Sequence, residues 1–578
     1  YGTAARRTLS VNGAKYRPAR YPDSENTSMR EYTGEDGENG VIDSGTILSP
    51  SGSMCGNTRY TAKDTTKKGF EICVEDIKPF TWEKADDIWI SGRLHASWSL
   101  ESDMIESINP ERRSLRTVYG TNNGVRYFDG NSFYYYNVLE ELTLPGEYCL
   151  DKNEGKLYIY PAEELSGAEV SLSFNEEPRL VVSDCRNIIF NGIKFQHFTA
   201  PYCFEIENAE NIRLQNLRFE KMNGGVKISG DSKYCGVINS VFKDLESENA
   251  PYIISSPAAT SELSVNLVPQ YNYLQNNYFY NCYAAVIRGT GNIASHNSFL
   301  NSIYAALSID QARECVIEYN TIENAVRKAV DMGAIYLSGM SRGAGANHIR
   351  YNYINHCNTE RDFPVGIYLD EFMSRSYVYG NILNETVIYL NNGSENAIVN
   401  NIIAGEHSSN PVICIANYIK PSTDAAYEMW NREWKNSVLS YGGHTQFLNP
   451  ENKQEYINVL GGAYAKRYPT LKDFAEKMYK RIGEYQRTGN DLSSYLTAVS
   501  KGGAKYNLDT YLRSPRYNYY GANAFVNSSK DVAQSANEIE SVSENNKMII
   551  KSDFGADSYS SQAFYNDLNS QTGGFETI

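Results

Sequence analysis

At 578 residues and 41% hydrophobic content, the chain can bury a large core and is too apolar to be disordered. Its net charge of −15 argues against a nucleic-acid partner and against unassisted binding of a polyanion, because phosphate or uronate surfaces would be repelled. No apolar run reaches the roughly 18 residues that a membrane span requires.

The chain opens on Tyr1 with no signal-peptide pattern behind it, which reads as a processed or cut end. Residues 1–165 hold alternating strand-like segments punctuated by Gly and Pro, and an accessory β-domain is expected there. From about residue 187 one phrase recurs. It is spelled NNYF at 276–279, HNSF at 296–299, YNTI at 319–322, YNYI at 351–354, GNIL at 380–383, NNII at 400–403 and ANAF at 522–525. Its asparagines are Asn277, Asn297, Asn320, Asn352, Asn381, Asn401 and Asn523, and the first six are spaced by 20, 23, 32, 29 and 20 residues. Two earlier stretches, NIIFNGIKF from 187 and NIRLQNLRF from 211, keep the rhythm with an apolar residue in place of that Asn.

A repeat of this length with variable turns is one coil of a β-solenoid. Equivalent residues then stack about 4.8 Å apart, and stacked Asn side chains bond to one another as a ladder. The fold predicted is all-β: a right-handed parallel β-helix over 166–405, with the accessory β-domain ahead of it. Residues 406–517 break the rhythm. They carry one helical face of Tyr427, Trp430, Trp434 and Val438, and a second after Pro469 with Leu471, Phe474, Met478 and Ile482. A helical insertion packed on the solenoid is expected there, with a return to the coil pattern over 518–578. The ten cysteines form no CxxC pair, so buried free thiols are expected.

The chemistry is sought on the strand that follows each turn. ALSID (306–310), AIYLS (334–338), GIYLD (366–370) and VIYLN (387–391) align, and strand alternation sends Leu307, Ile309, Ile335, Leu337, Ile367, Leu369, Ile388 and Leu390 inward. Outward run one column of Ser308, Tyr336, Tyr368 and Tyr389, and beside it another of Asp310, Ser338, Asp370 and Asn391. Asp331 lies in the turn leading into the middle coil, and Glu371 follows Asp370. Glycoside hydrolysis asks for two carboxylates flanking a bond, one protonated and one ionised, and a solenoid wall can hold them at fixed multiples of its rise. The tyrosines offer sugar a stacking platform or a structural aromatic stack.

DMGAIYLSG (331–339), NHIRYNYI (347–354) and GIYLDE (366–371) together resemble the right-handed parallel β-helix glycosidases, and are most similar to glycoside hydrolase family 141. VNGAKYRPARYP (11–22), KADDIWISG (84–92), NVLEELTLPGEYCLDKNEGKLYIYP (137–161) and GGF at 573–575 extend the similarity. The resemblance implies a fucosidase or xylanase acting on plant cell-wall glycans, with Asp331 and Asp370 as the catalytic pair. Glu371 stands where an aspartate is usual, and joins them as a third catalytic candidate. Asp310, Tyr336, Tyr368, Arg342 and Arg375 are the candidates for binding substrate. The resemblance also implies solenoid coils ahead of the β-domain, missing from this chain.

The expected partner is a polysaccharide or oligosaccharide, with no cofactor and no metal. A polymeric substrate of this kind places the protein outside the cell, secreted or on a bacterial surface. Two other readings share the fold: a polysaccharide lyase and a non-catalytic glycan-binding adhesin. A lyase needs a basic residue and usually calcium for its uronate; the basic residues near the site are Lys328, Arg342, Arg361 and Arg375, and no EF-hand-like spacing is present.

Overall fold

A computed structural model describes residues 8–23, 41–43, 46–47, 71–120 (without 75, 84–86, 95–97, 99 and 112), 132–173, 180–246, 250–255 and 269–338. It continues over 345–357, 364–370, 373–374, 376–391, 393, 396–407, 412–416, 518–528, 532–533, 542–544 and 546–549. No helix among these residues is long and apolar enough to cross a membrane.

The N-terminal strands form two larger sheets. One has five strands, in the order Lys156–Tyr160, Glu147–Asp151, Ala14–Pro18, Leu9–Val11, Val170–Leu172. The other has six, with Ser132–Tyr136, Trp89–Arg93 and Glu101–Asn109 at its centre. Pairing is antiparallel throughout except between Glu147–Asp151 and Ala14–Pro18. The six-stranded sheet buries Ile72, Val74, Ile88, Ile90, Leu115, Phe133 and Tyr135. These sheets touch the solenoid through the Lys15–Glu246 ion pair (3.1 Å) and through Arg93, whose guanidinium donates to the Lys328 carbonyl (3.4 Å).

From Leu180 onward the chain winds into three parallel sheets of eleven strands each. The first coil contributes Leu180–Ser183, Arg186–Asn191 and Lys194–Gln196, one strand to each sheet; the last contributes Val532–Ala533, Val542–Glu544 and Lys547–Ile549. This is a parallel β-helix. Its coil path includes Ile413–Ala416, which pairs in parallel with Val387–Asn391. A strand of the solenoid therefore lies beyond residue 405, inside the span expected to be helical. The two helices expected around Trp430 and after Pro469 lie outside the described residues.

The recurring phrase has a physical basis at one corner of each coil. Asn216, Asn239, Asn276, His296, Tyr319, Tyr351, Gly380, Asn400 and Ala522 turn that corner with φ between 52° and 65°. Asn and Gly tolerate this left-handed backbone best, which accounts for their abundance there. The residue after each corner points inward. From Asn277 to Asn523 that residue is the predicted asparagine, and each carboxamide donates to the next: 3.0 Å from Asn277 to Asn297, 2.9 Å from Asn352 to Asn381, 3.1 Å from Asn401 to Asn523. Asn546 extends the ladder by one more rung at 3.0 Å.

A second ladder escaped the sequence reading. Asn272, Asn292, Asn347, Asn396 and Asn518 are buried before the strands of the middle sheet, and each accepts a backbone N–H from the coil before it. Cys235, Cys315 and Ser376 hold this position in other coils, which hides the pattern. The two thiols are structural: burial pushes Cys235 up to about 11 and Cys315 up to about 12. The cysteines of the described residues are free, and most are buried, as expected.

Three positions past the corner, Phe195, Phe219, Phe242, Phe279 and Phe299 stack along the axis with centroids 5.3, 4.7, 4.5 and 4.5 Å apart. Phe279→Ala opens a ring-sized cavity in the middle of this stack. It is expected to cost about 3–5 kcal/mol, read as a lower denaturant midpoint at unchanged slope.

Candidate active site

Strand registry on the first sheet is the one the alignment predicts. Leu307 faces Ile335, which faces Ile367 and then Ile388; Ser308, Tyr336, Tyr368 and Tyr389 form the next row; Asp310, Ser338 and Asp370 form the next outward row. Every inward residue of this set is fully buried. Alternation therefore fixes Asp310, Tyr336, Tyr368 and Asp370 on the outer wall of one sheet.

Two glycines let the strands approach. A Cβ on Gly333 would lie 2.8 Å from the Tyr368 Cβ, and one on Gly366 would lie 2.5 Å from Thr386 Oγ1. The glycines of GAIYLS and GIYLD are thus packing requirements of the wall that carries the carboxylates.

Asp331 stands at the end of a turn clamped to the previous coil, where Lys328 N–H donates to Ile303 O (2.9 Å) and Arg327 N–H to Ser302 O (3.2 Å). Its neighbours Val330 and Met332 are buried, and its own φ is 67°, a conformation aspartate tolerates. The side chain is thus placed by a rigid segment although it belongs to a turn.

The two aspartates meet over one pair of tyrosines. Tyr336 and Tyr368 pack edge to face, with centroids 5.5 Å apart and planes at 85°. Tyr336 OH donates to Asp370 Oδ2 at 2.8 Å, and Tyr368 OH donates to Asp331 Oδ1 at 3.3 Å. The bonds cross: each phenol serves the aspartate carried by the other's coil. Asn391, one coil further on, donates to the second oxygen of Asp370 at 2.7 Å.

Tyr368 does not offer the sugar-stacking face expected of it. Only 1% of its surface is exposed, because Val365, Val387, Tyr336 and Tyr389 close around the ring. Its role is that of a buried donor to Asp331. Tyr336 and Asp310 are partly exposed, as are both candidate catalytic aspartates.

Asp310 accepts from Arg288 Nε at 3.2 Å in a partly exposed ion pair. Arg288 and Asn391 are site residues that the sequence reading did not pick. The signal for Arg288 was present, because AVIR (285–288) continues the same strand alignment one coil earlier. Glu371, Arg342 and Arg375 lie outside the described residues.

No family model and no curated protein matches this chain. Among solved structures it is similar to a chain described as a glycoside hydrolase, at 14% identity over 73% of this chain and 78% of that one, with a TM-score of 0.44. It is also similar to a periplasmic alginate epimerase (9% identity, 64% and 79% covered, TM-score 0.32). A third likeness is to the catalytic domain of an α-1,3-glucanase in complex with nigerose (10% identity, 71% and 85% covered, TM-score 0.26).

Proposed function

We propose that this protein hydrolyses glycosidic bonds in a plant cell-wall type polysaccharide, as a fucosidase- or xylanase-like enzyme, with Asp331 and Asp370 as its carboxylate pair. The observation that carries the reading is the crossed pair of phenol–carboxylate bonds at 2.8 and 3.3 Å, which ties both aspartates to one tyrosine pair on the outer wall. Two carboxylates sharing a wall meet the first demand of acid–base attack on an acetal. Glu371, next in the chain to Asp370, is proposed as a third acid that tunes the pair, and Asp310 with Arg288 as the polar end of the substrate floor. A polymer substrate implies a secreted or cell-surface enzyme.

A lyase would need a base to remove a proton beside a uronate. Among the described residues of this row the cation is Arg288, which is engaged by Asp310, and the phenols Tyr336 and Tyr368 are engaged as donors to carboxylates. These contacts favour hydrolysis. The test is incubation with xylan and with a fucosylated cell-wall glycan, with and without a chelator. New reducing ends, or free fucose, should appear at equal rates in both conditions and without ultraviolet-absorbing unsaturated ends. Calcium-dependent release of unsaturated ends would make the protein a lyase, and binding without any cleavage would make it an adhesin.

A further inference from the structure

The proposed reaction needs one aspartate protonated and one ionised, and the hydrogen bonds around Asp370 fit that residue to the ionised role. Both of its oxygens are engaged by donors from flanking coils: Oδ2 by the Tyr336 hydroxyl at 2.8 Å and Oδ1 by the Asn391 carboxamide at 2.7 Å. An ionised carboxylate is an acceptor at every lone pair, whereas a protonated one must itself donate, so two converging donors select the ionised form. Neither donor is loosely held. Tyr336 is locked edge to face against the buried Tyr368, and Asn391 is 5% exposed at the end of the Val387–Asn391 strand.

We infer that Asp370 is the general base, held in that role by Tyr336 and Asn391 as positioning residues, and that Asp331 is the general acid. The inference rests on the hydrolase reading above and assigns its two roles. In the balanced step, water forms its bond to the anomeric carbon and gives up a proton, which ends on Asp370. The bond from that carbon to the glycosidic oxygen breaks, and the departing oxygen takes the proton of Asp331.

Among the described residues, Tyr336 on the coil before bonds Asp370 directly, Tyr389 on the coil after pairs with Tyr368, and Asp331 shares the tyrosine pair. On its own strand stands Tyr368, which reaches Asp331; two coils back stands Asp310 with its partner Arg288. Tyr336→Phe and Asn391→Leu leave these charges in place and remove one donor each.

The experiment measures kcat/KM against pH on the glycan that the wild type cleaves. Each donor variant should move the acidic limb upward by about one unit, because losing a donor to the ionised form makes the base easier to protonate. On the plateau above that limb, the loss should be smaller than below it. A second arm uses the 4-nitrophenyl glycoside of the same sugar, whose phenolate departs without an acid. Asp331→Asn should keep most of its rate there while failing on the glycan, and Asp370→Asn should fail on both. Where the wild type does not take the aryl glycoside, the pH arm decides alone. A uniform loss of rate with an unmoved acidic limb, or movement of the alkaline limb instead, would overturn the assignment while leaving the hydrolase reading intact. A wild type inert on every glycan would fail that reading itself.

Discussion

Asp370→Asn is expected to lower turnover on the cleaved glycan at least about a thousandfold, since removing one member of an acid–base pair forfeits several kcal/mol of transition-state stabilisation. Asp331→Asn should match it on the same substrate. The fold should survive both changes. Asp370 is the last residue of its strand, the carboxamide that replaces its carboxylate is nearly isosteric, and the inward neighbours Leu369 and Ile367 that hold the strand are untouched. Steady-state rates with a parallel far-ultraviolet circular dichroism spectrum and melting curve separate lost chemistry from lost structure. Wild-type turnover in Asp370→Asn would remove this residue from the mechanism, whatever becomes of Asp331.

Asn352→Leu should be the most damaging single change to the fold. The Asn352 side chain sits at 0% exposure in mid-ladder, where its oxygen accepts from the backbone and the side chain of Asn320 at 3.0 and 2.9 Å. Its amide donates to Ile317 O and to Asn381 Oδ1, both at 2.9 Å. A leucine of similar volume fills the space and leaves those partners short of hydrogen bonds in a dry interior. Each unsatisfied group costs about 1–3 kcal/mol, so a loss near or above 4 kcal/mol is expected, at the extreme of single substitutions. Denaturant unfolding followed by tyrosine fluorescence reads it directly. A midpoint equal to wild type would show that the ladder contributes little beyond filling space.

What was legible in the sequence follows from what repeats. The ladder from Asn277 to Asn523 could be read because one corner recurs with the same chemistry, a left-handed residue and then a buried carboxamide. The registry of Tyr336 with Tyr368 could be read because a strand has a period of two and an inward face that must be apolar. The second ladder was hidden because Cys235, Cys315 and Ser376 do the same steric work with different side chains. The burial of Tyr368 was illegible for another reason: alternation says which wall a residue leaves from, and says nothing of what closes over it. Here the cover comes from Val365, three residues before it in the same strand, and from Val387 one coil on. Asn391 was visible in the outward column, but its service to Asp370 depends on a distance of 2.7 Å that only coordinates supply.

The ladder rung between Asn401 and Asn523 spans 122 residues of sequence, while the rung before it, from Asn381 to Asn401, spans 20. The two rungs have nearly the same geometry, 3.1 and 2.9 Å. A solenoid therefore decouples neighbourhood in space from neighbourhood along the gene. The entropic charge for closing the longer loop grows only with the logarithm of its length, which comes to about 1.6 kcal/mol between these two spans. Corners of such a coil are accordingly places where a lineage can splice in new sequence at small thermodynamic cost, so long as the next asparagine arrives to close the turn. Growth by insertion, with the wall that carries the carboxylates left unaltered, is an evolutionary freedom built into this architecture.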